Sequence, residues 1–259
     1  MANSVEELRK LVLLKDWEAM NLAEQIGEVA APMLKELMGN ADGEIRDLTL
    51  GCLVLTNDKQ VTKTLAQALS DPDQDVRMRA MLALESRYDH TILPELLSNL
   101  ENPDGDIRIG VAKLLGNLRD NSAVEPLQKR IDKETDDQDR RQMRLALAKL
   151  GDENLKAEFA GQLDGPDSRT RYQGIRDLEY IDDKKLARRL LPALQDRGEA
   201  YDVGDPDKPR YARVCDAAIN LIAKWNEKPF SFPTDDLKIY SDVEIKEAKR
   251  LLNSLESQK

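Results

Sequence analysis

Asp42-Gly43-Glu44-Ile45-Arg46 is the first copy of a pattern that returns as Asp73-Gln74-Asp75-Val76-Arg77 and as Asp104-Gly105-Asp106-Ile107-Arg108. The final arginines of these copies are 31 residues apart, and weaker copies follow around Arg140 and Arg171. Each copy, here called the Asp-Arg motif, opens an apolar segment with helical spacing. A unit of this length holds two helices of about eleven residues and two turns. The chain is therefore predicted to be an array of two-helix repeats.

Proline and acidic residues mark the turns between repeats. They occur as Asp71-Pro72-Asp73, Asn102-Pro103-Asp104 and Gly165-Pro166-Asp167. The last Asp of each turn stands where its carboxylate can accept hydrogen bonds from the first N–H groups of the next helix. We name the helix before each turn helix A and the helix after it helix B, and we expect each Asp-Arg motif to open a helix B.

The repeat period fails once, after Leu194. Residues 195–210 are rich in Gly, Pro and Asp, which predicts an inserted loop before the helical pattern resumes near Tyr211. We predict a single domain over residues 1–259. It comprises N-terminal helices over 1–39, regular repeats over 40–194, the inserted loop over 195–210, and a last repeat with a C-terminal cap over 211–259. The cap is expected because the end of a solenoid must be covered.

Composition narrows the class of protein. Hydrophobic residues make up 41% and charged residues 34% of the chain, and aromatic residues are few. This mixture favours helices whose solvent-exposed faces are charged. The net charge of −10 argues against general affinity for nucleic acid or an anionic membrane. We find no leader segment and no apolar stretch of about 20 residues, so we expect a cytoplasmic protein. Cys52 and Cys215 lie in apolar helical patterns and are expected to be buried, reduced thiols.

The repeat unit resembles a known family. Asp-x-x-(Val/Ile)-Arg opens helix B and Pro-x-Leu recurs in helix A, as in the HEAT-like repeats of the phycobilisome-lyase type; the resemblance covers roughly residues 16–225. It implies an all-α fold, a right-handed α-solenoid of about six two-helix repeats with a C-terminal cap. It implies no single function, because such repeats serve lyases, adaptors, assembly factors and transport receptors alike.

The residues that carry most enzyme chemistry are scarce. His90 is the single histidine and is expected to be a solvated turn residue, which leaves no basis for a His-rich metal site or a Ser-His-Asp arrangement. No glycine-rich phosphate loop is present. Asp202, Asp205 and Asp207 do not match the EF-hand pattern and are expected to form a solvated acidic loop. We therefore predict no catalytic, cofactor-binding or metal-binding residues.

The arginines of the Asp-Arg motif have two interpretations. Five in register could form a binding strip. The favoured interpretation is that each pairs with an Asp of a neighbouring repeat and holds the stack in register.

Two other sets of residues are candidates for partner contacts. The outward side of the B helices, predicted to line a concave face, carries a basic and partly aromatic strip: Arg79, Lys113, Arg141, Arg144, Tyr172 and Arg176. Such a strip suits an acidic peptide or partner surface, although a charged solvated face is the competing interpretation. Aromatic and arginine residues also flank the insertion, where they are expected to face a partner: Tyr201, Asp202, Arg210, Tyr211 and Arg213.

These observations support three hypotheses about function. The first is a noncatalytic, monomeric scaffold or adaptor that binds another protein on its concave face and the 195–210 loop. The second is a chaperone-lyase related to the phycobilin lyases, which would need a cavity for a tetrapyrrole. The third, nucleic-acid binding, is disfavoured by the net charge.

Overall fold

The computed structural model describes residues 2–202, 211–226 and 229–254. Within these ranges the regular structure consists of α-helices, short 3-10 segments and one two-stranded sheet, which confirms the all-α prediction. The chain divides into two compact units, Met1–Ala146 (unit 1) and Leu147–Lys259 (unit 2). The prediction of a single domain stays a prediction, and each unit is described by itself.

Unit 1 contains the regular repeats. Its helices are α1 (Ala2–Leu13), α2 (Glu18–Ile26), α3 (Ala31–Leu37), α4 (Gly43–Leu55), α5 (Val61–Ala68), α6 (Gln74–Leu84), α7 (Leu93–Asn99), α8 (Gly105–Leu118), α9 (Val124–Lys133) and most of α10 (Asp137–Lys149). Helices B are α4, α6, α8 and α10. Each of α4, α6 and α8 packs on the helix A before it, and α4 also packs on α2 and α6. The buried residues between these helices are mainly Leu, Ile, Val and Ala, as the spacing predicts.

Unit 2 contains α11 (Glu153–Gly161), α12 (Ser168–Ile181), β1 (Glu199–Asp202), β2 (Tyr211–Arg213), α13 (Val214–Trp225) and α14 (Asp242–Ser254). Helix α12 packs on α11 and α13, and α13 packs on α14. The 3-10 segments Lys184–Leu190 and Ala193–Gln195 stand where helix A of the last repeat was expected.

The insertion differs from the predicted loop. Its described ends form an antiparallel pair in which Glu199 faces Arg213, and the last helix B begins at Val214 instead of Tyr211. Residues 203–210, including Arg210, lie outside the described residues. The pair forms because Ala200 and Ala212 are both buried, while side chains of α12 hydrogen-bond to the free edge of β1. Arg169 Nε donates to the Ala200 carbonyl at 3.3 Å.

The Asp of each motif caps the following helix, as predicted. The side chain of Asp42 accepts from Glu44 N, that of Asp73 from Asp75 N, and that of Asp104 from Asp106 N. The same role is taken by Asp136 before α10 and Asp167 before α12. The carboxylate satisfies a donor that the helix leaves unpaired, which fixes the start of helix B.

The Arg of each motif joins consecutive turns. Arg46 donates through Nε and Nη2 to Asp71 at 2.9 and 2.7 Å, and through Nη1 to two carbonyls of its own turn. Arg77 binds Asp104 in the same way. Arg108 pairs with Glu134 and Arg171 with Asp196. Four of the five motif arginines therefore join neighbouring repeats, as the favoured interpretation predicts.

Arg140 is the exception among the motif arginines. It pairs with Asp137 on its own helix, and its side chain is 38% exposed. It also donates to the Glu134 carbonyl at 2.6 Å. The α10 copy of the motif therefore keeps its local contacts, but within the described part of the chain it has no acidic partner from the following turn.

The C-terminal segment of unit 2 closes on α13, as expected for a cap. Tyr240 is buried and its hydroxyl hydrogen-bonds to Asn220 Oδ1 at 2.5 Å. Phe232 lies 5.6 Å from the Tyr240 ring and 4.8 Å from that of Phe230. Ser241 and Glu244 form the reciprocal contacts of a capping box at the start of α14.

Both cysteines are free and buried, which confirms the prediction for them. Burial raises the pKa of Cys52 to about 12, so this thiol stays protonated at neutral pH. No helix among the described residues is both long and apolar enough to cross a bilayer.

Candidate partner-binding surface

A small cavity lies in unit 2 where the hairpin, two B helices and the C-terminal segment meet. Its volume is about 220 Å³. The lining residues come from α12, β2, α13 and the segment 236–239. Three residues predicted as partner contacts are among them: Tyr172, Arg176 and Tyr211.

Exposed aromatic and aliphatic side chains surround this cavity. Tyr201 and Tyr211 are 43% and 42% exposed, and Leu237 and Ile239 of the C-terminal segment are about half exposed. The Tyr201 ring meets the edge of Tyr172 at a centroid distance of 5.1 Å. We call these five residues the tyrosine rim. Burial raises the pKa of Tyr172, so its hydroxyl remains neutral over the physiological range.

The charges beside the tyrosine rim are arranged in pairs. Arg176 Nη1 lies 2.5 Å from Glu179 Oε2, and Glu179 also pairs with Lys224. Lys238 pairs with Glu244 at 2.6 Å. Hydrogen bonds from Lys238 and from Ser241 N lower the pKa of Glu244 to about 2. The Lys238–Glu244 pair joins the segment 236–239 to α14.

Arg213 and Asp216 form a bidentate ion pair, and Asp216 lines the cavity. Arg213 Nε and Nη2 each donate to Asp216 at 2.7 Å. Asp216 also accepts from Tyr240 N at 3.0 Å, while Arg213 Nη2 donates to the Tyr240 carbonyl at 2.9 Å. Arg213 was predicted to contact a partner, and its contacts here join β2, α13 and the C-terminal segment to one another.

The predicted basic residues of unit 1 lie on its B helices. Arg79 on α6 pairs with Asp47 on α4, with Nη2 to Oδ2 at 2.6 Å. Lys113 on α8 pairs with Glu85 at 2.7 Å. Arg141 and Arg144 on α10 are half-buried, and each takes part in at least one interaction.

The predicted contact residues therefore fall into two groups. Unit 2 brings together Tyr172, Arg176, Tyr201, Tyr211 and Arg213. Asp202 lies in β1, and nothing more is described of its side chain. That the residues of both units form one strip stays a prediction.

The segment 236–239 lines the cavity but is not among the predicted contact residues. Leu237 and Ile239 alternate with charged residues after Pro233, a spacing typical of an extended segment with one apolar face. That alternation was the available signal, and only the tertiary contact with α13 turns it into a cavity wall.

His90 is exposed, with Nδ1 3.4 Å from Asp120 Oδ2. In the part of the chain that the structure describes, no group of three or more His, Cys, Asp or Glu residues could hold a metal ion.

Comparisons with known proteins agree on the repeat. Residues 62–148 match the family model for HEAT repeats. No curated protein matches the sequence. Among solved structures, the chain is similar to a chain from the complex of CpcE and CpcF of phycocyanin lyase from Nostoc sp. PCC7120. The identity is 16% and the TM-score 0.51, with 91% of this chain and 88% of that chain covered. Residues 62–148 are therefore HEAT-like repeats, and the all-α fold of the chain is similar to that of a chain of the phycocyanin lyase complex.

Proposed function

We propose that the chain is a noncatalytic scaffold or adaptor that binds another protein, with the tyrosine rim of unit 2 as its principal contact. The observation that carries this proposal is the clustering of half-exposed tyrosine and aliphatic side chains around one cavity. Tyr and Arg dominate the energetics of protein interfaces. Tyrosine also has few rotatable bonds, so it loses little conformational entropy on binding. A rim prearranged on α12, β1, β2 and the segment 236–239 lowers the ordering cost of association further.

The size of the cavity favours a protein over a small molecule. Its volume of about 220 Å³ is below the roughly 300–1,000 Å³ that small-molecule sites occupy. A protruding side chain of a partner fits this volume, and the exposed rim supplies the flat surface that a partner covers.

The charge of the proposed contacts favours an acidic partner. Arg176 stands beside the rim, and Lys113, Arg141 and Arg144 extend the same preference to unit 1. Basic side chains at an interface steer an acidic partner and set its orientation more than they add affinity. The protein is proposed to act as a cytoplasmic monomer.

Single substitutions at the rim test this proposal. Tyr211→Ala and Arg176→Glu are expected to reduce capture of specific partners by at least tenfold, because each removes an interface anchor. The measurement is affinity capture from the source organism with quantitative mass spectrometry, compared with wild type. Arg144→Glu tests whether the contact extends to α10.

Two control variants match these substitutions. Tyr88→Ala removes another half-exposed tyrosine, and Arg189→Glu reverses another ion-paired arginine of similar exposure. Both controls should retain the captured proteins, and melting temperatures should agree with wild type. Equal loss in rim and control variants would show that the rim is not the contact.

A lyase-type function is the second candidate, and the similarity to the phycocyanin lyase complex favours it. It predicts that the chain binds a free bilin. Incubation with phycocyanobilin followed by absorbance spectroscopy separates the two candidates: the scaffold proposal expects an unchanged bilin spectrum. A saturable spectral shift that Tyr172→Ala abolishes would favour the lyase instead.

A further inference from the structure

Unit 1 carries an open apolar groove across α2, α4 and α6. The volume of the groove is about 640 Å³. Met20 of α2, Leu55 of α4, and Met78 and Leu82 of α6 line it. Leu82 is 61% exposed although it lies on a B helix whose other leucine, Leu84, is fully buried. The groove thus presents aliphatic and thioether groups to solvent.

Trp17 extends the groove at one side. It lines a smaller cavity of about 220 Å³ that shares Asp47 and Asp75 with the groove, so the two form one continuous surface. Trp17 is 64% exposed. An exposed tryptophan and an exposed leucine beside half-buried methionines mark an interaction surface, because monomeric proteins rarely expose contiguous apolar patches of this kind.

This surface, here called the acidic groove, carries an excess of negative charge. Its lining includes four acids: Glu44, Asp47, Asp73 and Asp75. The two basic side chains of its lining already form ion pairs with acidic side chains. Lys15 lies 2.9 Å from Glu44, and Arg79 pairs with Asp47. Among the described residues, Asp73 and Asp75 make no ion pair.

Gly51 shapes the floor of the groove. A Cβ at this position would lie 3.3 Å from Arg79 Nη1 and 3.6 Å from Met20 Cε. The absence of a side chain lets Arg79 cross the surface of α4 to reach Asp47, and lets Met20 lie over the same turn. The Arg79–Asp47 pair is neutral as a whole, so the excess negative charge of the groove comes from Asp73 and Asp75.

We propose that the acidic groove binds a basic amphipathic helix of a partner protein. An amphipathic helix lays its apolar face into such a groove, and methionine side chains adapt to the shape of that face. The acids at the edge complement Lys or Arg on the polar face of the helix. Three helices with interaxial distances of 8–10 Å give a groove of about 20 Å, which about 13 helical residues span. The charge of this partner is opposite to that proposed for the tyrosine rim, so either proposal can fail without the other.

The probe is a labelled 14-residue peptide of Leu and Lys with Leu at i, i+3, i+4 and i+7 spacing. Its counterpart carries Glu in place of every Lys. Binding to the full chain is measured by fluorescence anisotropy at low salt and at high salt. The Leu/Lys peptide is expected to bind saturably and the Leu/Glu peptide to show at least tenfold lower affinity.

Matched variants separate the groove from the general acidity of the protein. Leu82→Gln and Asp75→Lys are each expected to weaken binding of the Leu/Lys peptide about tenfold. Val29→Gln changes another half-exposed aliphatic residue, and Glu125→Lys makes the same charge change on α9; both should bind like wild type.

Three results would overturn the proposal. One is equal affinity for the two peptides, and another is equal weakening by groove and control variants. The third is that the chain alone sediments as a dimer that Leu82→Gln converts to a monomer, since a second copy would then occupy the groove.

Discussion

Arg46→Ala is expected to lower the free energy of unfolding by about 3 kcal/mol, because the substitution leaves Asp71 buried without its counter-charge. Arg46 is 7% exposed and Asp71 has a 10% exposed side chain. Four hydrogen bonds from one guanidinium join the turn before α4 to the turn before α6. Loss of these hydrogen bonds removes the link between two consecutive repeats. It also leaves two backbone carbonyls without these donors.

The pH dependence of this effect follows from Asp71. Burial raises the pKa of its carboxyl, but the hydrogen bonds from Arg46, the hydrogen bond from Asp73 N and the charges of Arg46 and Arg77 together outweigh burial, so the pKa is lowered from its usual value. A carboxyl with a lowered pKa contributes stability that is present above its unfolded pKa and lost as pH falls through the folded pKa. The difference in free energy of unfolding between wild type and Arg46→Ala is therefore largest at neutral pH, and it decreases below a pH of about 4.

Arg140→Ala is the matched control, at the same position of the motif. Its side chain is 38% exposed and its ion pair lies within one helix, so the expected loss is about 1 kcal/mol or less. The measurement is urea unfolding followed by circular dichroism, at pH 7. Equal losses for Arg46→Ala and Arg140→Ala would contradict the fastening role, since only Arg46 reaches the next turn.

The sequence predicts the repeats well because their determinants are local. The cap at Asp73 and the proline at Pro72 each act within a few residues, and helical spacing of apolar residues sets the buried face. Even the Arg46–Asp71 pairing could be predicted, because a strict period places the same two groups at every junction. Where the period weakens, at Arg140, the predicted pairing changes as well.

The candidate site was less predictable because it depends on contacts between distant segments. Glycine and proline in residues 195–210 indicate a loop, whereas the pairing of Glu199 with Arg213 depends on two short segments being buried together on α12. The cavity wall formed by 236–239 requires Tyr240 to bury itself against α13. No local pattern encodes either contact.

Asp216→Ala is expected to lower the stability of unit 2 by about 3 kcal/mol. Asp216 is 4% exposed and accepts hydrogen bonds from Arg213 and from Tyr240 N. Removal of the carboxylate leaves the guanidinium of Arg213 partly buried without its counter-charge and leaves the Tyr240 N–H without this acceptor. The C-terminal segment is then held mainly by the Tyr240 hydroxyl and the apolar contacts of Phe232.

The loss should appear in two measurements on Asp216→Ala. Urea unfolding should give the lower free energy, and hydrogen exchange should show faster exchange at residues 236–240 than elsewhere in unit 2, because these residues lose their tie to α13. Asp242→Ala is the control: it removes the partner of Arg197 from a surface pair whose Asp is 80% exposed, and the expected loss is below about 1 kcal/mol. Asp216→Asn keeps an oxygen that accepts from Tyr240 N, so its loss of stability should lie between those of Asp216→Ala and Asp242→Ala. If Asp216→Ala were as stable as Asp242→Ala, Arg213 would be free to act as the partner contact that the sequence predicts, and the wall of the cavity would not depend on this ion pair.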